Sequence, residues 1–359
     1  MNSYAIIGAA GFVGQFLVDE FNEAGIRPTT ITRTNGDFML IGKNVENYNM
    51  VDPALNGKKF DVIINLAYPT GDKLFNVKQN NKAIVDLIEK ISTPSSKIIH
   101  VSTIAVFGFN LSQTVKNEKV KFRRDWPYIE SKIHFENILL EKFKNHEVHV
   151  VRFGNVWGAK SKTWTVPLMN NVLYNQPTAI YSSDGYCNAT DVNNAANYLF
   201  FLSNLERDKN IFFHHLAEFY DVRWSHWLNM FSTLFQTEVV YYYSKPFLGE
   251  SHSMFADVKN AMSKTSPKKI MMDLYKSRLA GSYMRSLISK LPKSSLVSLE
   301  KKNTILIPKV EVDSTTFFTI MTCQVPFENV TFKEWTPKVN LDQSWNEVEK
   351  WINDIALVY

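Results

Sequence analysis

Only two cysteines, Cys187 and Cys323, occur in 359 residues, too few for a disulfide framework. Neither belongs to a Cys-x-x-Cys or Cys/His spacing, so no metal centre is expected and both read as buried thiols. No stretch reaches the ~18 uninterrupted apolar residues of a membrane-spanning helix. Met1-Asn2-Ser3 lacks the basic residues of a leader, and the apolar run that starts at Tyr4 breaks at Gly8. The expectation is therefore a cytoplasmic protein. Internal repeats, low-complexity tracts and duplex-binding motifs are missing as well, which argues against solenoids and against nucleic acid as a partner.

What is present is ordinary for a folded chain: 45% hydrophobic and 21% charged residues, in a length that calls for two lobes or one enlarged domain. Short β-rich runs at Tyr4–Ile7, Thr29–Thr32, Asp61–Ala67, Lys97–Ser102 and Val148–Arg152 alternate with helical patterns. Among these are Lys82–Ile91, Ile129–Phe143 and the segment that follows Gly11. Continuous apolar strands separated by amphipathic helices predict an α/β fold with a doubly wound parallel sheet and a ligand crevice at the strand carboxyl ends. The dinucleotide-binding domain is placed at residues 1–165, with a contribution from about 185–220. A smaller mixed α/β lobe for substrate is placed at 166–359. Within it, helices are expected at Ala195–Leu202, Trp224–Phe235 and Leu341–Ile355, and a strand at Asn210–Leu216. A basic insertion spans about 240–310. From Lys264 to Lys302 it carries ten Lys/Arg against Asp273 and Glu300, a net +8 in a chain of formal net charge +5. Such a segment suits an anionic substrate or a peripheral contact with acidic membrane, or serves only as a solvated face.

The run Gly8-Ala9-Ala10-Gly11-Phe12-Val13-Gly14 lies directly after the first strand and opens a helix. Glycine there lets the backbone approach a pyrophosphate, and the first helical residues, Phe12 and Val13, point their amides at it. At the end of the second strand Thr32-Arg33-Thr34 stands where an NAD-specific protein carries Asp or Glu. Arginine is the natural partner of a 2′-phosphate, so NADP(H) is favoured over NAD(H). Asn49 or Asp52, after the third strand, is a candidate for the adenine edge, and each could equally cap a turn.

Tyr128-Ile-Glu-Ser-Lys132 follows Thr103 by 25 residues. A phenol titrates near pH 10, and a lysine at i+4 shares its helix face, where an ammonium would favour the phenolate. Thr103 at a strand end can orient a substrate oxygen. Together these residues can pass a proton to a carbonyl oxygen. His100 reads as a core histidine, His214-His215 alternate faces of a strand, and Trp224, Trp227, Phe231 and Phe235 repeat at core-packing spacing.

Gly8-x-x-Gly11-x-x-Gly14, Asn65-Leu66-Ala67, Val101-Ser-Thr103-x-x-Val106-Phe-Gly108, Tyr128-x-x-x-Lys132 and Arg152-x-x-Asn155-Val-Trp-Gly158 resemble the extended short-chain dehydrogenase/reductase family. The likeness is strongest to its nucleotide-sugar epimerase and reductase branch. It runs to about residue 200 and returns at Trp335-Thr-Pro-Lys-Val-x-Leu341 to Trp351. It implies a catalytic triad of Thr103, Tyr128 and Lys132, the last also touching the nicotinamide ribose. It implies cofactor contacts from Leu66, Ala67 and Asn80, with Asn80 linking to the active-site strand, and substrate contacts from Thr103, Ile104, Asn155, Val166 and Asp191. In the sugar 4,6-dehydratases an Asp-Glu pair follows the active-site Thr, but Ile104-Ala105 follow here, which speaks against elimination of water. No Cys/His pair is placed as in the GDP-fucose synthases. The expectation is an NAD(P)-dependent 4-ketoreductase of a nucleotide-diphosphate sugar, in a polysaccharide-forming setting and compatible with a homodimer. A 4-epimerase with retained NAD is the alternative, and a non-catalytic cofactor-sensing or scaffold protein the second.

Overall fold

A computed structural model describes residues 2–33, 38–68, 74–108, 127–176, 178–180, 184–242, 320–321 and 323–356. The basic segment 264–302 and the helices expected between 243 and 310 lie outside the described residues.

The chain alternates as predicted. β1 (Tyr4–Ile7), α1 (Phe12–Glu23), β2 (Thr29–Thr32), β3 (Glu46–Asn49), β4 (Phe60–Asn65), α2 (Leu74–Ile91), β5 (Ser92–Thr103), α3 (Pro127–Lys142) and β6 (Glu147–Phe153) build the first half. They are followed by β7 (Asn155–Trp157), α4 (Thr165–Leu173), β8 (Ala179–Ile180), β9 (Ala189–Asp191), α5 (Val192–Asn204), β10 (Ile211–Leu216), α6 (Trp224–Phe235), β11 (Tyr241–Tyr242) and α7 (Leu341–Ala356). Seven strands form one sheet in the order β10-β6-β5-β4-β1-β2-β3, and every pairing in it is parallel. The chain leaves β3 and returns beside β1 as β4, so the order reverses between β1 and β4. That reversal opens the crevice in which such sheets hold a nucleotide.

Period-two alternation decides which residues go to which face. Tyr4 and Ile6 of β1 pack with Leu17, Val18 and Phe21 of α1 and with Ala195, Tyr198 and Leu199 of α5. Ala5 and Ile7 face the other way, onto Ile84 and Ile88 of α2 and Phe135 and Leu139 of α3. With both faces covered, the strands need apolar residues throughout, which is why they read as continuous hydrophobic runs. α3 starts at Pro127, whose missing N–H removes nothing from the first helical turn.

A third core lies beyond the carboxyl ends of the sheet. Ile104, Val106 and Phe107 meet Trp157, Val166 of α4, Trp224, Trp227 and Phe231 of α6, Phe327, and Trp345 of α7. Trp157 and Trp227 stack at 3.9 Å between centroids. The α6 aromatics are thus core, as their spacing indicates, and Cys187 and Cys323 are buried thiols beside them. Two small parallel pairs, β7 with β9 and β8 with β11, frame this lobe. Trp227 is fully buried, so Trp227→Ala should lower stability by about 3–5 kcal/mol, measured as a shifted urea midpoint.

Candidate active site

Four strand ends converge on the crevice. After β1, Gly8 takes φ +86°, and a Cβ there would stand 2.8 Å from Ala67 N and 3.1 Å from the Leu66 carbonyl carbon. The turn therefore lies directly against the end of β4, where Leu66 N donates to Ile7 O at 2.9 Å. A Cβ on Gly14 would meet Ala9 O at 2.5 Å, so glycine is also what lets α1 pack back on the turn. Gly11 stands at the N-cap of α1 without a side-chain cap, leaving the amides of the first turn, Phe12 and Val13 among them, for an anion. This cradle fits a dinucleotide pyrophosphate, and side chains at Gly8 and Gly14 would push apart the backbone that forms it.

On the adenosine side, Arg33 follows β2 and is exposed. Asn49 donates from Nδ2 to Arg33 O at 3.0 Å and accepts from Val51 N at 3.1 Å. Asp52 accepts from Ala54 N at 2.9 Å and caps a short 3-10 turn. Both side chains are thus committed to backbone. Asn49 thereby holds the backbone at Arg33, and Asp52 caps a turn, as the sequence also allowed.

The acid-base centre forms where β5 ends against α3. The Thr103 hydroxyl accepts from Ala105 N at 3.2 Å and is hydrogen-bonded to Tyr128. Lys132, buried one turn along α3, donates to Val101 O at 3.1 Å, and its Nζ stands 5.3 Å from the centre of the Tyr68 ring. Tyr68 meets Tyr128 edge to face at 5.1 Å. Tyr128 is 41% exposed, yet protein packed about its hydroxyl and the neighbouring Tyr68 phenol push it up to about 12, against the Thr103 hydrogen bond. Burial presses Lys132 down to about 8, opposed by the Glu136 carboxylate. The expected lowering of the phenol by Lys132 is absent because the ammonium is turned to Val101 O and the Tyr68 ring.

Beneath Lys132, Glu136 receives two hydrogen bonds from Arg152, Nε to Oε1 at 3.2 Å and Nη2 to Oε2 at 2.8 Å, and one from the Ser102 hydroxyl. All three residues are buried. Beside them Asn81 donates from Nδ2 to Ser131 O at 2.9 Å and locks α2 to α3. Its neighbour Asn80, expected to link to the active-site strand, is exposed. A helix facing a crowded partner must bury one of two adjacent amides, and the burial stripe selects Asn81. His100 is a core histidine, stacked on Phe135 and held through Nδ1 by Asn65. Burial keeps its ring neutral, with Lys132 adding to the effect.

Four residues expected to contact substrate make internal contacts in this structure. Ile104 and Val166 are buried in the apolar third core. Asn155 donates from Nδ2 to Cys187 O at 2.5 Å and ties β7 to β9. Asp191 caps α5 by accepting from Asn193 N at 2.7 Å, and accepts from the Ser344 hydroxyl at 2.5 Å. His214 and His215 do face opposite ways, His214 to His149 and Tyr198, His215 to Phe107. Tyr68, Asn81 and Glu136 were missed. Tyr68 directly follows Asn65-Leu66-Ala67, and Glu136 continues the Tyr128, Lys132 spacing by another four residues, which were the available signals.

This assembly is that of an α/β dinucleotide-binding protein with a hydroxyl, phenol and amine at the cofactor crevice. The model of the NAD-dependent epimerase/dehydratase family matches residues 4–197, and the chain belongs to that family. Among solved structures it is similar to UDP-glucose 4-epimerase of Thermotoga maritima, a complex with UDP-glucose, at 12% identity and TM-score 0.65 over 99% of each chain. It is also similar to dTDP-glucose 4,6-dehydratase of Bacillus anthracis with NAD, at 12% identity and TM-score 0.62, covering 99% of this chain and 97% of that one. UDP-glucose 4-epimerase of Thermus thermophilus with NAD aligns at 15% identity and TM-score 0.54, over 72% of this chain and 93% of that one. None of the curated proteins matches the chain.

Glu218 gives this region a pH signature. Its Oε1 accepts from Asp191 N at 2.6 Å and Asn194 Nδ2 at 2.9 Å, while burial, with a smaller push from the Asp191 carboxylate, drives it from 4.5 up to about 8. The folded state holds a proton that the unfolded chain releases above 4.5. Its contribution to stability is therefore complete below that value and is lost as pH rises to about 8. Chemical denaturation between pH 4.5 and 8.5 should show stability declining more steeply for the wild type than for Glu218→Gln, and parallel curves would refute the assignment.

Proposed function

We propose that the protein is an NAD(P)-dependent oxidoreductase that reduces the carbonyl of a nucleotide-activated keto-sugar, a 4-ketoreductase using NADPH. The observation that carries this reading is the state of Tyr128: a crevice-exposed phenol hydrogen-bonded to Thr103 and raised to about 12. At neutral pH such a group carries its proton, and giving it up requires the charge left behind to be stabilised. A dinucleotide whose pyrophosphate lay on the Gly8–Gly14 turn would supply the hydride. Thr103 orients the carbonyl oxygen, and Tyr128 gives its proton to that oxygen as the C=O electron pair moves onto it. Lys132, with a value of about 8, carries a positive charge for much of the time at neutrality, and by swinging from Val101 O toward Tyr128 it would compensate the phenolate left there. Arg33 would take the 2′-phosphate, and Gly8, Gly11, Phe12, Val13, Gly14, Leu66 and Ala67 the rest of the cofactor.

Ile104-Ala105 support simple carbonyl chemistry, because both are buried and apolar where elimination of water would need an acid and a base at carbon. A 4-epimerase is the second reading, supported by the coverage of both chains in the comparison with the Thermotoga enzyme. The two differ in net cofactor use. Mixing the protein with UDP-, GDP-, CDP- and dTDP-linked keto-sugars should consume NADPH, seen as falling absorbance, whereas an epimerase would interconvert sugars without net consumption. Tyr128→Phe should lower turnover by about 10²–10⁴-fold with cofactor binding unchanged; undiminished turnover would refute the mechanism. Arg33→Ala should weaken NADPH binding by at least about tenfold and leave NADH binding intact, followed by nucleotide fluorescence.

A further inference from the structure

We propose that Tyr68 is a positioning residue of the acid-base centre, its ring covering the Lys132 ammonium and holding it between the end of β4 and Val101 O. The inference rests on the role given to Lys132 above and adds a residue that the sequence motifs do not contain.

Three observations support it. First, the backbone that carries Tyr68 is fixed. Ala67 lies against Gly8, whose Cβ would come within 2.8 Å of it, and Ala67 N donates to Asn65 Oδ1 at 3.1 Å. Second, the ring has two partners in the crevice. Lys132 Nζ lies 5.3 Å from its centre, and Tyr128 meets it edge on at 5.1 Å. Third, Tyr68 remains 37% exposed, so one side of it seals the amine while the other forms the crevice wall.

An aromatic face attracts an ammonium through the ring quadrupole and also keeps water from it. Lys132 is faced by Glu136 on its own helix, by His100 from β5, which burial holds neutral, and by the Tyr68 ring, which Tyr128 meets edge on. Glu136 favours the charged amine, whereas burial disfavours it. Burial, with a smaller push from the Tyr68 phenol, keeps Tyr128 protonated, and Lys132 stands at the ring and at Val101 O. The same ring thus sets how far the ammonium can reach toward Tyr128.

The test reads Lys132 directly in the full-length chain, with neither cofactor nor substrate. Trace acetic anhydride is applied across pH 6–11, and acetylation of the Lys132 peptide is quantified by mass spectrometry. The wild-type midpoint should fall near 8. Tyr68→Phe keeps the ring and should leave it within about 0.3 unit. Tyr68→Ala admits water and should raise it by about one unit or more. Tyr68→Leu keeps cover without a π face and should lower it by about 0.5 unit; this variant decides the matter should the alanine variant lose its melting transition. Midpoints unmoved in both Ala and Leu variants, or a Phe variant shifted as far as Ala, would overturn the proposal. Shifted midpoints with no turnover of any keto-sugar would instead leave Tyr68 in place and sink the proposed reaction.

Discussion

The buried ion pair between Glu136 and Arg152 is the constraint on which the candidate site depends. Removing two charges from water is costly, and the cost is offset here by the pairing itself, although Arg152 Nη1 is buried with no hydrogen-bond partner among the described residues. The guanidinium makes two hydrogen bonds to one carboxylate, and the Ser102 hydroxyl adds a third. Its flat faces are covered by Phe107 and Phe213 at 5.0 and 4.7 Å. A lysine could neither fork nor stack in this way. Because Glu136 sits on α3 while Ser102 and Arg152 sit on β5 and β6, the pair fixes both the rotation and the height of that helix over the sheet. Tyr128 and Lys132 share its face at eight and four residues earlier, so fixing Glu136 places them at the end of β5.

That placement gives an electrostatic arrangement different from a simple tyrosine tuned by lysine. The lysine is attracted downward by Glu136, sideways by Val101 O and over the face of Tyr68. Burial lowers its own affinity for a proton, and the phenol beside it is held protonated. Two groups are pushed in opposite directions, one to about 12 and one to about 8, so at neutrality the phenol is protonated and the amine largely charged. Burial dominates both shifts, with opposite signs because one group is charged when it gains a proton and the other when it loses one.

The sheet was legible in the sequence because strands covered on both faces need unbroken apolar runs, and the glycine turn because only glycine survives the contacts at Gly8 and Gly14. Tyr128, Lys132 and Thr103 were legible for a similar reason: helical spacing and a strand end bring them together almost wherever α3 is set. Asn81 was harder, since choosing between two adjacent amides depends on which helix face meets α3. Glu136 depends on a partner sixteen residues away on another strand. Tyr68 depends on where a loop leaves β4, which periodicity does not encode. Val166, Ile104 and Asp191, expected to touch substrate, show a different constraint. A family position near the site can be met by packing as well as by a ligand, and in this chain these three are buried in the apolar core or spent on a helix cap.

The contacts that join cofactor turn and acid-base centre follow the order of the strands. Gly8 at the end of β1 lies on Ala67 beyond β4, Ala67 carries Tyr68, Tyr68 covers Lys132, Lys132 holds Val101 O of β5, and Glu136 binds Arg152 of β6. The strands β1, β4, β5 and β6 are neighbours in the sheet. A disturbance at the glycine turn therefore has a short route to the amine: any side chain at Gly8 displaces the Ala67 backbone, and with it the ring that seats Lys132. Cofactor cradle and proton donor are thereby parts of one packed unit, and the rigidity of that unit comes from the parallel sheet beneath it, whose register fixes each strand end relative to the next.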